Sequence, residues 1–356
     1  MATLLSRAWS ERGHEVILCP TFSQRGAVDY PVGKKVELVF LADLVAPRTG
    51  RLGRLLRLRR LMRERRPDVI VSFLSNVNLA AILAARGLGI PVVISERNHP
   101  PAVTPQPSRA FRAARRMLYP RADAIVALTG RTRDWLAERI PRTPVTVLPN
   151  PVVLPLPEAE PRVAPSDILP AERRVILAAG RLQPQKRFGI AIAAFARIAA
   201  AHPDLDLVLL GAGPERARLE NLAAASGVAG RIHLPGFAGN PADWYARSEM
   251  FVLTSAHEGF PNLLLEAMAH GLPTISFDVE TGPRDMTDDG RRGVLLPDRD
   301  HVPALAGAMA RLAADETERQ RLAAAGAEVR EVYGESGILA LWDALFDRLR
   351  LDGAAR

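Results

Sequence analysis

Short apolar, β-branched runs alternate with stretches of helical period through most of this chain. In the first half, EVILC (15–19), PDVIVSFL (67–74), PVVIS (91–95), ADAIVALT (122–129) and VTVLPN (145–150) each fit a strand. Between them lie two arginine-rich helical segments and NLAAILAARGL (78–88). This alternation predicts βα units around a parallel sheet. The rhythm stops at NPVVLPLPEAEPRVAPSDILPAE (150–172), a proline-rich stretch without a sustained period that predicts a domain connection. It resumes with RVILAAG (174–180), a helix over 188–201, DLVLLGAG (206–213), a helix around Leu219, RIHLPGF (231–237), MFVLTS (250–255), PTISF (273–277) and GVLLP (293–297). A helical pair over 302–325 and an amphipathic helix over 338–351 follow. The expectation is an α/β protein of two doubly wound, Rossmann-like domains, 1–155 and 156–335, with segment 336–356 packing back toward the first.

One element is out of place. Residues 3–12 read as a helix and 14–19 as the strand after it, whereas a βα unit has a strand before its helix. The first strand of the N-terminal domain is therefore expected to be missing, with a central sheet position left empty.

Composition narrows the class. With 48% apolar and 24% charged residues over 356 positions, the chain has material for two sizeable cores. No apolar run approaches the ~18 residues of a membrane span. The single cysteine, Cys19, excludes an internal disulfide and any multi-cysteine metal site, and a cytoplasmic location is expected. The net charge of +8 is uneven: residues 1–155 hold 25 Lys and Arg against 11 Asp and Glu, and the remainder 22 against 28. The excess concentrates in 48–66 and 109–121, where arginines interleave with Leu, Met, Phe and Tyr. Such stretches meet anionic lipid or nucleic acid, or are ordinary amphipathic helices with basic outer faces.

The candidate chemistry lies in the second half. HEGFPNLLLEAMAHGLP (257–273) sets Glu258 in a loop, Pro261 in the first turn of a helix and Glu266 inside it, with Gly271 and Pro273 ending it. The N–H groups of residues 262–264 fall at the helix start, where unpaired donors and the dipole favour an anion. A phosphate held by backbone leaves the glutamates to accept hydrogen bonds from hydroxyls, which suggests a nucleotide sugar; a surface cap is the simpler alternative for an isolated pair. GRLQPQKRF (180–188) presents Arg181 and Lys186 just before another helix, a setting that suits a diphosphate. GAGP (211–214) lacks the full dinucleotide spacing and reads as a tight turn.

GRLQPQKRF, LLGAGP, HLPGF, SAHEGFPNLLLEAMAHGLPTISFD and GPRDMTDDGRRGVLLP, in this order and spacing, resemble the nucleotide-binding half of a GT4-type retaining glycosyltransferase of GT-B fold, over about 173–300. ERGHEVIL, PDVIVSFL and PVVISERNHP resemble, more loosely, the acceptor domain of bacterial GT4 enzymes that build surface polysaccharides or lipid-linked oligosaccharides. The resemblance implies two domains facing a central cleft. It implies that Arg181 and Lys186 neutralise the donor diphosphate and that Glu266 accepts from the ribose hydroxyls. Glu258 would lie by the transferred sugar as a catalytic group, with Gly259, Phe260, Pro261, Asn262, Leu263 and Leu264 completing the donor site. HLPGF would line the base largely through backbone. No metal or other cofactor is implied, and the one DxD-like stretch, at Asp204 and Asp206, falls on a strand.

At the acceptor side the family's functional histidine has no clear counterpart: Arg97 takes its register, while His99 and Glu96 lie in the same stretch as alternative functional groups, His99 first among the catalytic candidates. The resemblance also implies a glycine-rich turn ahead of the segment TLLSRAWSERGHEV (3–16), as part of the expected missing unit. The activity it implies is transfer of a sugar from a nucleotide donor, UDP-linked first, to a growing bacterial glycan carried on a polyprenyl diphosphate, at an anionic membrane surface on the cytoplasmic side. A GT-B epimerase or phosphorylase and a basic nucleic-acid-binding protein are the alternatives; the latter lacks a recognisable motif with interleaved aromatics.

Overall fold

The computed structural model describes residues 1–20, 32–103 and 106–354. The chain divides into two compact units, Met1–Asn150 with Ile338–Arg356, and Pro151–Gly337. The boundaries expected from the sequence, 155/156 and 335/336, fall a few residues away from these.

The first unit contains, in order, α1 (Ala2–Glu11), β1 (Val16–Leu18), β2 (Val36–Leu38), α2 (Arg51–Arg65), β3 (Ile70–Phe73), α3 (Ser75–Ala85), β4 (Val92–Glu96), α4 (Arg109–Leu118), β5 (Ala124–Ala127), α5 (Gly130–Arg139) and β6 (Val145–Val147). All strand pairs are parallel, yet they form two sheets: β1 with β2, and β3-β4-β5-β6. Strands β4 and β5 are buried throughout, whereas β1 and β3 are half-buried. Both sheets nonetheless share a core cluster. Val16 of β1 and Val71 and Phe73 of β3 pack on Leu5 and Trp9 of α1, which in turn meet Ile338, Trp342 and Leu345. On the opposite side, α2, α3, α4 and α5 contribute to a second cluster with Ile94 and Ile125, and Cys19 packs against it. Trp9 and Trp342 meet edge to face at 5.4 Å, an arrangement favoured by the ring quadrupoles.

The second unit runs β7 (Arg174–Ala179), α6 (Phe188–Ile198), β8 (Leu205–Leu210), α7 (Arg216–Ala225), β9 (Ile232–Gly236), α8 (Pro241–Arg247), β10 (Met250–Leu253), α9 (Asn262–Ala269), β11 (Thr274–Phe277), α10 (Pro283–Thr287), β12 (Val294–Leu296), α11 (His301–Ala314), α12 (Glu316–Ala327) and α13 (Val329–Val332). The last helix, α14 (Glu335–Ala354), begins here and continues into the first unit. One six-stranded sheet, ordered β12-β11-β10-β7-β8-β9, carries the unit. Its strands pair in parallel, and order reverses between β7 and β10, the kind of switch point at which doubly wound sheets bind ligands beyond the carboxyl ends of their strands.

Strand β2 and helices α5, α8, α10 and α13 are not predicted by the sequence pattern. β2 is three residues long with a central exposed glutamate, and in α5 only Thr132 and Leu136 are buried, so neither has a strong period. Helix α9 also begins one residue later than expected: Pro261 precedes it as the cap rather than entering its first turn.

Candidate active site

The loops after β7 and β10 are joined closely. After β7 the chain turns at Gly180, whose φ of +146° suits glycine, and the Gly211 α-carbon lies so near that a β-carbon there would fall 1.9 Å from the Gly180 carbonyl oxygen. The turn at residues 184–187 is then stitched to the loop after β10. The Ala256 N–H donates to the Gln185 carbonyl at 2.8 Å, Gln185 Nε2 to the His257 carbonyl at 2.7 Å, and the Thr254 hydroxyl to the Lys186 carbonyl at 2.6 Å. These bonds set Lys186 against Glu258: Nζ lies 2.5 Å from Oε1, with both side chains mostly buried. A β-carbon at Gly180 would lie 3.3 Å from Lys186 Cε and 3.6 Å from Leu263 Cδ1, so Gly180, Lys186 and the start of α9 converge on one spot.

Arg181 follows directly and is exposed. Gly259 and Phe260 are within the loop, and the Phe260 ring packs edge-on to Tyr333 at 5.7 Å. The Glu258 carbonyl is held by the Thr281 hydroxyl, and Gly282 leaves room for the Pro261 ring, which a β-carbon would meet at 2.4 Å. The start of α9 differs in one respect from expectation. The Asn262 N–H donates to the Phe260 carbonyl at 3.0 Å and the Leu264 N–H to the Pro261 carbonyl at 3.0 Å. The tight entry to the helix satisfies these donors locally, leaving Leu263 as the member of the trio whose N–H has no protein acceptor among the described residues.

Glu266, on α9 and eight residues after the loop residue Glu258, is half-buried. Burial pushes its carboxyl up to about 7, although the Tyr245 hydroxyl donates to Oε2 at 3.1 Å and pulls the other way. Tyr245 is itself raised well above its ordinary value by burial and by Glu266. Neither Tyr245 nor Arg187 is among the residues singled out from sequence. Arg187 has φ of +49°, and its guanidinium donates to the carbonyls of Thr254 at 2.9 Å and Ser255 at 2.7 Å and to Asp298 at 2.9 Å, while lying over the Phe277 ring. It thus ties the loop carrying Glu258 to the start of α11. Its sequence signal is a third cation directly after Lys186; Tyr245 has none.

In HLPGF, the Gly236 carbonyl accepts from the Gly211 N–H at 2.8 Å and Phe237 is exposed. The acidic pair at Asp204 and Asp206 is occupied by structural partners: Arg174 meets Asp204 at 2.9 Å, and Arg173 and His233 flank the buried Asp206. Among the described residues no group of three or more His, Cys, Asp and Glu is placed to hold a metal ion.

The first-unit candidates lie at the end of β4. Glu96 is buried inside a polar network, accepting from the Tyr119 hydroxyl at 2.5 Å, Ser75 Oγ at 3.1 Å and Asn78 Nδ2 at 3.3 Å; burial raises its pKa despite these bonds. Such a carboxyl is a structural acceptor rather than an accessible base. Arg97 donates to Asn150 and to Ser95 Oγ at 3.3 Å and lies over Phe73, and burial lowers its pKa to about 10. His99 is 2% exposed, with Nδ1 3.1 Å from the Thr132 hydroxyl and its ring edge-on to Trp135.

Residues 1–154 match the family described as Glycosyltransferase Family 4, and residues 173–315 that described as Glycosyl transferases group 1. The GDP-mannose-dependent alpha-mannosyltransferase of Mycobacterium tuberculosis is 31% identical over 294 residues, which cover 80% of this chain and 71% of that protein. The lipopolysaccharide core biosynthesis glycosyltransferase LpsE of Rhizobium meliloti is 34% identical over 180 residues, 51% of each chain. Among three of the similar curated relatives, this one included, the chain spans only 24%, 51% and 36% of their length. The sucrose-phosphate synthase of Thermosynechococcus elongatus superposes with a TM-score of 0.82 at 20% identity, covering 98% of this chain and 92% of that one. Anabaena HepE, solved with UDP and glucose, gives 0.73 at 18%, covering 93% and 98%. At these identities the structures speak for the fold alone. The fold of paired Rossmann-like units, the matches over both halves and the 31% identity across most of a mannosyltransferase together make this chain a member of the GT4-type glycosyltransferases of GT-B fold.

Proposed function

We propose that this chain is a retaining glycosyltransferase that moves a sugar from a nucleotide donor, UDP-linked first, to a growing bacterial glycan on a lipid diphosphate, without a metal, while resting peripherally on the cytoplasmic membrane face. The observation that carries the reading is the convergence of Gly180, Lys186, Glu258 and Leu263 at the carboxyl ends of β7 and β10. Without donor, Lys186 and Glu258 neutralise each other. With donor, Lys186 turns to the diphosphate beside Arg181 and the Leu263 N–H, and Glu258 is released to accept from hydroxyls of the transferred sugar. Glu266 accepts from the ribose.

The acceptor hydroxyl oxygen bonds to the anomeric carbon on the face from which the diphosphate departs. The bond from that carbon to the phosphate oxygen breaks with its electron pair going to the phosphate, which takes the acceptor's proton. Negative charge grows on the leaving group, so the two cations act more strongly in the transition state than in the ground state. Among the alternatives, a GDP-sugar donor has a specific support in the mannosyltransferase likeness.

A thermal-shift screen over UDP-, GDP- and ADP-sugars identifies the donor, and the mass of the product separates transfer from epimerisation or phosphorolysis. Glu266→Ala weakens donor binding by roughly 1–3 kcal/mol through loss of charge-assisted hydrogen bonds. Glu258→Ala mainly lowers turnover. Wild-type affinity and rate in both variants overturn the assignment.

A further inference from the structure

The three most exposed large apolar side chains among the described residues are Leu52 at 69%, Met117 at 64% and Leu56 at 57%. All three lie on the two arginine helices, α2 and α4. Helix α2 carries seven arginines and one glutamate; α4 carries four arginines and no acid. Helix α3 lies between them, touching each, and adds the exposed Leu83. The inner faces of all three helices pack into one cluster, so their outer faces form a single layer.

The pattern along each helix sorts the residues by face. On α4, Arg109, Arg112 and Arg116 are exposed at three- and four-residue spacing beside Met117, and no residue of that helix is buried. On α2, Leu52 and Leu56 stand one turn apart on the exposed side, followed by Arg60 and Arg63. Arg59 faces inward instead, donating to the Ala84 carbonyl at 2.9 Å and fastening α2 to the end of α3. The single glutamate, Glu64, is taken up by Arg60 at 2.6 Å. Single exposed apolar side chains are ordinary on a protein surface; here the three most exposed fall together on the two arginine-rich helices. A surface that is anionic outside and hydrocarbon beneath satisfies both kinds of residue at once. Nucleic acid would neutralise the arginines but leave Leu52, Leu56 and Met117 without partners, and among the described residues α2, α3 and α4 carry no exposed aromatic ring on which a base could stack.

We propose that the outer face of α2, α3 and α4 is the membrane-docking surface, with Arg109, Arg112 and Arg116 meeting anionic headgroups and Leu52, Leu56 and Met117 entering the headgroup–acyl boundary. This extends the peripheral-membrane reading above by naming the face and the lipid charge it takes. Because it concerns only the first unit, it is tested separately from donor binding.

The test is co-sedimentation of the full chain with phosphatidylcholine vesicles and with equimolar phosphatidylcholine–phosphatidylglycerol vesicles, with and without added salt. Binding is expected on the anionic vesicles only and weakens as salt screens exposed charge. Arg109→Gln, Arg112→Gln and Arg116→Gln together lower it about a hundredfold, at roughly five-fold for each basic side chain. Leu52→Ser with Leu56→Ser and Met117→Ser also lowers it, although the charge is unchanged. The UDP-induced thermal shift, which reads the second unit, stays at the wild-type value in both variants, and wild-type hydrogen-exchange protection of β4 and β5 shows that their first unit is folded. A missing UDP shift in the wild type, with vesicle binding intact, counts against the proposed function and leaves the docking face standing. Equal binding to neutral vesicles, an unaffected serine variant, or tighter binding to duplex DNA than to anionic vesicles overturns the docking face.

Discussion

The sheet of the second unit is continuous and that of the first is divided. In the second, the interior strands β7 and β8 are buried almost along their full length, and glycines let the turns after them touch. In the first, β4 and β5 are buried, but β1 and β3 each have one strand neighbour among the described residues and remain half-exposed. What closes the first unit is packing of α1 and α14 across both sheets rather than a ladder between them. A continuous hydrogen-bonded ladder sets the register of the strand ends that carry the loops; a cluster of rings and aliphatic chains bridging two sheets imposes no such register.

Three changes break or sharpen that contrast. The largest effect is expected from Trp342→Ala. Trp342 is 1% exposed between Trp9 and Phe346, and removing a buried ring of this size costs about 3–5 kcal/mol. Hydrogen exchange should show β3 and β4 losing protection while β7 and β8 keep theirs; equal loss in both units would mean that the two sheets are not separately held. Gly211→Ala is the reverse case. Its β-carbon would fall on the Gly180 carbonyl, with φ of +143° that an L-residue rarely adopts, and the second unit should lose roughly 1–3 kcal/mol with little change in the first. Unaltered melting of the second unit would show that the two turns move apart freely.

The smallest effect is the pH dependence at Glu266. Its folded pKa of about 7 lies above the ordinary 4.5, so between these values the folded state holds a proton that the unfolded chain has released. Stability contributed by this group is therefore full below the lower value and declines as pH rises through the upper. Donor affinity should run the other way, rising through about pH 7 as the carboxylate forms and accepts from the ribose. Glu266→Gln should flatten both profiles, which calorimetric titration with UDP and melting against pH can check.

Much of the second unit is legible in the sequence because its strands are unbroken apolar runs and its turns carry Gly180, Gly211 and Gly271. The ion pair of Lys186 with Glu258 is not, since it joins positions 72 residues apart and depends on the stitching of Gln185 and Thr254. Arg187 and Tyr245 escape for the same reason: their partners are set by tertiary contact. In the first unit the ambiguity among Glu96, Arg97 and His99 cannot be reduced from sequence. The groups that enclose Glu96, Tyr119 and Asn78, lie 23 and 18 residues away and are invisible to local pattern. The helix-start pattern leaves the N–H groups of Asn262 and Leu264 open to an anion, whereas the tight entry at Phe260 and Pro261 uses them instead.

The central claim is that a nucleoside diphosphate is held where the turn after β7 meets the start of α9. Hydrogen exchange of the full chain with and without UDP tests it most directly. The account predicts slower exchange in residues 180–188 and 257–266 and no change on α2 and α4, with the effect removed by Lys186→Ala. Protection confined to other segments, or protection that persists unchanged in that variant, would contradict it.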